Sequence, residues 1–281
     1  MALPDFLIIG AMKCGTSTLQ AQLAQQPGVF MTTPKEPNYF SDDPVFARGQ
    51  AWYEELFSAA APEDLKGEAS THYTKRPTYP ETLDRMRSVL TAPRLVYMIR
   101  DPMARAISHY IHGWSEGDFG PDATETFRQT PEIAEYGFYG MQIAPFIDVY
   151  GADRVLLTSL EQLNADPEAE VRRIGAFLGL PGGAGWIHDL PAQNVSASRV
   201  RRLPLQGLLI DNPVATALRR ALVPGSIRRR VRARRTMTER PEIPADLRAR
   251  LEARFLEDRA QLAQHFPDHP ALDLCYPFAR P

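Results

Sequence analysis

The chain has 281 residues, 44% of them hydrophobic and 23% charged, with a formal net charge of -2. That balance supports a sizeable core and excludes a disordered or collagen-like chain. Two cysteines, Cys14 and Cys275, are too few for a disulfide framework and match no zinc-ligand spacing, which fits a reducing compartment.

The N-terminal stretch MALPDFLIIGAMK carries its positive charge after the apolar residues, the wrong order for a secretory signal. No apolar run approaches the roughly 18 residues of a spanning helix. The expectation is a soluble, cytoplasmic protein without a membrane span, built as one α/β domain over residues 1–281.

The apolar run Phe6 to Ile9, closed by Gly10, predicts a strand buried on both faces of a parallel sheet. A helix is predicted from Thr16 to Gln26, with Leu19 and Leu23 on one face and Pro27-Gly28 as its stop. A second strand, Leu95 to Ile99, ends at Arg100, and Asp101-Pro102 then reads as an N-cap with proline at the first helical position, opening a helix to about His112. The polar, glycine- and proline-punctuated residues 113–135 read as an irregular excursion over the sheet's carboxyl edge.

The pattern repeats at Val155 to Leu157, followed by Asp166-Pro167 and a helix buried through Val171, Ile174 and Phe177 and ended by Gly179. Residues 181–242 read as irregular and arginine-rich: eight arginines fall within the seventeen residues from Arg219 to Arg235. A solvated helix face is the preferred reading of that run over a polyanion site. A last helix, residues 244–266, carries the seam Leu247, Leu251, Phe255, Leu262 and Phe266 and should dock on the core. Alternating strands and helices predict a central parallel sheet covered on both faces.

The loop joining the first strand to the first helix, Gly10-Ala-Met-Lys13-Cys14-Gly15-Thr16-Ser17-Thr18, aims backbone N–H groups and a helix N-terminus at one point, where an anion belongs. Lys13 adds a full charge, Gly15 allows close approach, and Thr16, Ser17 and Thr18 can donate to phosphate oxygens. The nucleotide-triphosphate loop places its lysine after the second glycine, whereas Lys13 precedes Gly15. A magnesium-dependent P-loop kinase is therefore the second reading, and a non-catalytic polyanion-binding module acting through the Arg219–Arg235 run is the third. Cys14 inside the loop could be an activated thiol, but with no partnered base a small packing residue is the better reading. His265 and His269 are four apart with Phe-Pro-Asp between them, so no metal site is read there.

Three segments in this order resemble the sulfotransferases that use 3′-phosphoadenosine 5′-phosphosulfate (PAPS), in particular the branch that modifies glycosaminoglycans and its bacterial relatives. They are the loop from Phe6 to Leu19, Lys35-Glu36-Pro37-Asn38-Tyr39-Phe40, and RLVYMIRDPMARAISHY from Arg94 to Tyr110, with Gly67 to Tyr73 as a further similar block. The resemblance implies a P-loop NTPase-like fold and transfer of a sulfuryl group to a hydroxyl, less readily an amine, of a carbohydrate or small metabolite. It implies PAPS as co-substrate, with no metal required and no nucleic-acid partner.

The 5′-phosphosulfate would fall to Lys13, Cys14, Gly15, Thr16, Ser17 and Thr18, and the 3′-phosphate to Arg100 and Ser108. Arg199 or Arg201, in a segment more loosely similar to the family's late closing loop, would add to the 3′ site. Lys13 would also stabilise charge on the oxygen between sulfur and the 5′-phosphate. Glu36 is the implied general base, with His72 as the competing candidate, although a buried structural imidazole is favoured for His72. Relatives often carry a lysine at the position of Ala69, which leaves open whether Lys35 or His72 replaces it. The whole reading requires Lys13 and Arg100 to face one cleft from the tips of neighbouring strands, far enough apart to straddle an adenosine.

Overall fold

A computed structural model describes residues 3–180, 182–190, 237 and 240–279. Its core is a sheet of strands β1 (Phe6–Gly10), β2 (Val29–Met31), β3 (Leu65–Ala69), β4 (Arg94–Ile99) and β5 (Val155–Ser159), in the order β2-β3-β1-β4-β5. Every pairing is parallel, as the alternation of strands and helices predicts. The run Phe6 to Ile9 is wholly excluded from solvent, which fits its place as the central strand.

Helices α1 (Thr16–Leu23), α2 (Pro102–Glu116), α3 (Tyr139–Tyr150), α4 (Pro167–Leu178) and α5 (Ala245–His265) surround the sheet. After β1 the chain turns toward β2, whereas after β4 it turns toward β5, although β1 and β4 are neighbours. Such a reversal leaves a crevice at the carboxyl ends of the two strands.

Two strands are not visible in the sequence. β2 is only three residues long, and β3 reads LKGEA, with two charges and a glycine. Gly67 is required there because a Cβ would lie 2.2 Å from Cζ of Phe6 on the paired strand. Glu68 is fully buried, and burial pushes its carboxyl up to about 7 against the pull of the Tyr73, Tyr53 and Ser70 hydroxyls.

Residues 113–135 are not an irregular excursion. α2 continues to Glu116, where Gly117 ends it at φ 99°, and short helices follow at Ala123–Gln129 and Glu132–Glu135. The Phe119 ring occupies the space over Gly113, and the Tyr110 hydroxyl donates to the carbonyls of Gly120 and Pro121 at 3.0 and 2.9 Å. These contacts fold the segment back onto α2. Asp122 is a helix cap, its Oδ1 accepting from Glu125 N at 3.0 Å.

Smaller differences have similar causes. α1 ends at Leu23 rather than Gln26, and in α4 the buried residue near the C-terminus is Leu178, with Phe177 only half-buried. The seam of α5 is buried at Leu251, Phe255 and Leu262, but between them stands a buried carboxylate, Asp258. Its oxygens accept from Gly140 N at 2.9 Å and Met141 N at 2.8 Å, capping the first turn of α3 from another helix. Burial raises this carboxyl to about 6, with the backbone donors opposing. The arginine run at 219–235 and most of residues 181–242 lie outside the described residues.

The contact between α3 and α5 is close enough to be tested. A Cβ on Gly140 would lie 2.6 Å from the Asp258 carbonyl oxygen and 2.7 Å from Leu262 N, both backbone atoms that cannot swing aside. Gly140→Ala should therefore destabilise the fold by about 2 kcal/mol, the cost of overpacking. Urea unfolding should show a lower midpoint at unchanged slope.

Candidate active site

The loop between β1 and α1 is shaped by close contacts. Ala11 N donates to Met98 O at 2.6 Å, which ties the loop to β4 just past the strand pairing. Gly10 cannot carry a side chain because Thr74 Oγ1 would lie 1.9 Å from its Cβ, and that hydroxyl donates to Ile9 O at 2.9 Å. Lys13 and Gly15 are left-handed, at φ 68° and 94°. The left-handed backbone favours glycine at position 15, and a Cβ there would also press on Leu160 Cδ1 at 2.9 Å. α1 begins at Thr16 without a side-chain cap, so its first-turn amides supply the positive end of the helix dipole to the crevice.

Lys13, Gly15, Thr16, Ser17 and Thr18 line one wall of a cleft of about 560 Å³. Cys14 does not join them. Its side chain is fully buried, with Sγ 3.6 Å from the Tyr139 hydroxyl, and its amide donates to Ala11 O at 3.2 Å. Burial pushes the thiol up to about 11, so the residue packs and is not an activated nucleophile.

Arg100 and Ser108 line the same cleft from β4 and α2. Arg100 Nη1 donates to the Lys13 carbonyl at 3.3 Å, so the guanidinium is docked against the loop, and its own carbonyl accepts from the Tyr139 hydroxyl at 2.9 Å. His112, one helical turn beyond Ser108, extends this wall. Asp101 is occupied as the cap of α2, Oδ1 accepting from Met103 N at 2.8 Å and Ala104 N at 3.1 Å. Arg199 and Arg201 lie outside the described residues.

The third wall carries the carboxylate. Glu36 and Asn38 adopt φ of 56° and 54°, uncommon for residues with a Cβ, and are held there from the end of β3. Glu36 N donates to Ala69 O at 3.0 Å and Asn38 N to Ser70 Oγ at 3.1 Å. Lys35 Nζ at 2.6 Å and Thr71 Oγ1 at 3.3 Å both donate to Glu36 Oε1. Oε2 accepts no hydrogen bond among the described residues. Burial favours the neutral acid, but the charge and hydrogen bond of Lys35, with Lys75 behind, carry the Glu36 carboxyl below its ordinary value. It is ionised at neutral pH.

His72 also lines the cleft, stacked on Tyr79 with ring centroids 4.6 Å apart. Its Nδ1 is buried without a partner among the described residues, and burial, then the charge of Lys75, push the imidazole down to about 4. It is neutral and a weak base beside Glu36.

Sequence reasoning missed Lys75. It is 7% exposed and forms part of the cleft wall, and burial pushes its ammonium down to about 8 with Glu36 pulling the other way. Neither periodicity nor spacing marks it. Among the described residues lining the cleft, Lys13, Lys35, Lys75 and Arg100 are cationic and Glu36 is the one carboxylate. Cationic side chains outnumber carboxylates around the cleft. In a proton NMR titration the His72 ring resonances should stay those of a neutral imidazole down to a midpoint near pH 4. A midpoint near 6.5 would mean that the ring is solvated or ion-paired.

Among the described residues no helix is long and apolar enough to cross a membrane. The chain is 32% identical over 190 residues to mouse (Mus musculus) heparan sulfate glucosamine 3-O-sulfotransferase 3B1, covering 63% of this chain and 46% of that protein. It is 30% identical over 188 residues to human (Homo sapiens) heparan sulfate glucosamine 3-O-sulfotransferase 6, covering 63% of this chain and 52% of that protein. The chain thus spans about half the length of the curated relatives it matches. A solved sulfotransferase structure from Alicyclobacillus acidocaldarius superposes with a TM-score of 0.68 at 25% identity, covering 97% of this chain and 99% of that one. The model of the sulfotransferase domain family matches residues 3–206, which take in all five strands and every wall of the cleft, and the chain belongs to that family.

Proposed function

We propose that the protein transfers a sulfuryl group from PAPS to a hydroxyl of a carbohydrate or small-metabolite acceptor. The observation that carries this reading is the meeting of two cationic features, the Lys13 loop and the Arg100–Ser108 wall, with one ionised carboxylate in a single cleft. A volume of about 560 Å³ falls within the roughly 300–1,000 Å³ of small-molecule sites.

The donor set fits a doubly anionic nucleotide. Lys13, the uncapped turn of α1 and the hydroxyls of Thr16, Ser17 and Thr18 would hold the 5′-phosphosulfate. Arg100 and Ser108 would hold the 3′-phosphate, Arg100 through the part of its fork not docked on Lys13 O. PAPS supplies an activated sulfuryl group when bound. Glu36 accepts the acceptor's hydroxyl proton on Oε2, because Lys35 and Thr71 already hold Oε1. Lys13 stabilises the negative charge that collects on the 5′-phosphate side. The names of the similar mammalian proteins support a sugar hydroxyl as the acceptor class.

The kinase reading is weaker on two observations. Glu36 is the one carboxylate among the described lining residues, and Asp101, at the end of β4, is engaged as a helix cap. A magnesium-bound triphosphate favours carboxylate ligands. Calorimetry should show tighter binding of 3′-phosphoadenosine 5′-phosphate (PAP) than of ATP with magnesium; the reverse order would establish the kinase.

With labelled PAPS and a panel of acceptors, Lys13→Ala should lower turnover by about 100-fold or more. Glu36→Gln should slow transfer by a similar factor while PAP affinity stays within about twofold. Because the Glu36 carboxyl lies below its ordinary value of 4.5, its base form is lost only as pH falls through that lowered value. The acid limb of the wild-type rate should therefore lie below pH 4.5 and be absent in Glu36→Gln. A limb near pH 6 to 7 would assign the base to another group.

A further inference from the structure

We propose that Lys75 is the cation that contacts the transferring sulfuryl group, donating from the cleft wall to its non-bridging oxygens. The inference rests on the sulfotransferase reading above.

Lys75 lies in the cleft wall and is 7% exposed, yet its ammonium makes no hydrogen bond and no ion pair among the described residues. The Tyr136 ring faces it, with its centroid 5.6 Å away. A buried ammonium without a counter-ion is costly to keep. An anion bound in the cleft removes that cost.

The backbone places this charge with little freedom. Lys75 N donates to His72 O at 3.1 Å, its own carbonyl accepts from Tyr79 N at 3.1 Å, and the preceding Thr74 hydroxyl is bonded to Ile9 O at 2.9 Å. Lys75 is thereby fixed against the end of β1, from which the anion loop springs. Glu36 is fixed against the end of β3 through Ala69 O.

Burial lowers the proton affinity of Lys75 most, Glu36 opposes that, and Arg105, Lys13 and Lys35 add to it. In an in-line displacement the base and the leaving oxygen stand on opposite sides of sulfur. Lys75 lines the same cleft as Glu36 and Lys13, so its ammonium is available to a group held between them. In the transfer the acceptor oxygen bonds to sulfur, its proton passes to Glu36, and the sulfur–oxygen bond to the 5′-phosphate breaks with the electron pair leaving on the phosphate oxygen. Lys75 keeps its proton throughout and neutralises charge on the oxygens in flight.

The test compares two nucleotides, because PAP lacks the sulfuryl group and PAPS has it. Calorimetric titration of the full chain should show Lys75→Met weakening PAPS about tenfold while PAP stays within twofold, with Lys75→Arg recovering most of the loss. Retained PAP binding shows that the variant is folded, and Lys75→Gln provides the same comparison if Lys75→Met does not fold. Equal losses for both nucleotides, or none for either, overturn the role given to Lys75 and leave the sulfotransferase reading standing. Wild-type protein that binds neither nucleotide overturns both.

Discussion

The site depends on the parallel pairing of β1 with β4. Phe6 lies beside Arg94 and Ile8 beside Val96, and Ala11 N still reaches Met98 O after the register shifts at Gly10. Because both strands are buried, a slip would transfer apolar side chains between faces of the sheet, so the register is firmly specified. That register delivers the Lys13 loop and Arg100 to the same height, where the guanidinium meets the Lys13 carbonyl. Two cationic features distant in sequence become one site through main-chain geometry.

Concentrating positive charge in this way has an electrostatic consequence for the carboxylate. Glu36 stands in a partly buried place that would normally favour its neutral form, yet Lys35 and Lys75 keep it ionised. Burial, with the same field added, keeps His72 neutral and lowers the proton affinity of Lys75. One cluster thus separates a charged acid, an uncharged imidazole and a buried ammonium by environment alone. Holding Glu36 Oε1 from two sides then distinguishes its two oxygens.

Much of this was legible in the sequence where the signal is local. Continuous apolar runs mark β1, β4 and β5, the Asp101-Pro102 and Asp166-Pro167 pairs mark helix starts, and the lysine, glycine and hydroxyls singled out in the first loop line the cleft. What was hidden depends on contacts across the chain. β3 shows its strand character only beside Phe6, and residues 113–135 become helical through Phe119 and Tyr110. Cys14 belongs to the loop by position, but its side chain is taken up by the core. The left-handed Glu36 and Asn38 are set by the end of β3, thirty residues on, and Lys75 enters the cleft because Thr74 anchors to Ile9.

The Asp258 cap reaches further than its own two helices. Tyr139, the first residue of α3, gives its hydroxyl to the Arg100 carbonyl, and the next two residues give their amides to Asp258 on α5. α5 lies beyond residues 3–206, the span that the family model matches, yet it braces the arginine wall from behind. Helix α5 is therefore a strut of the cleft rather than an appendage, and trimming the chain back to residue 206 would slacken, at a distance, the wall that carries Arg100.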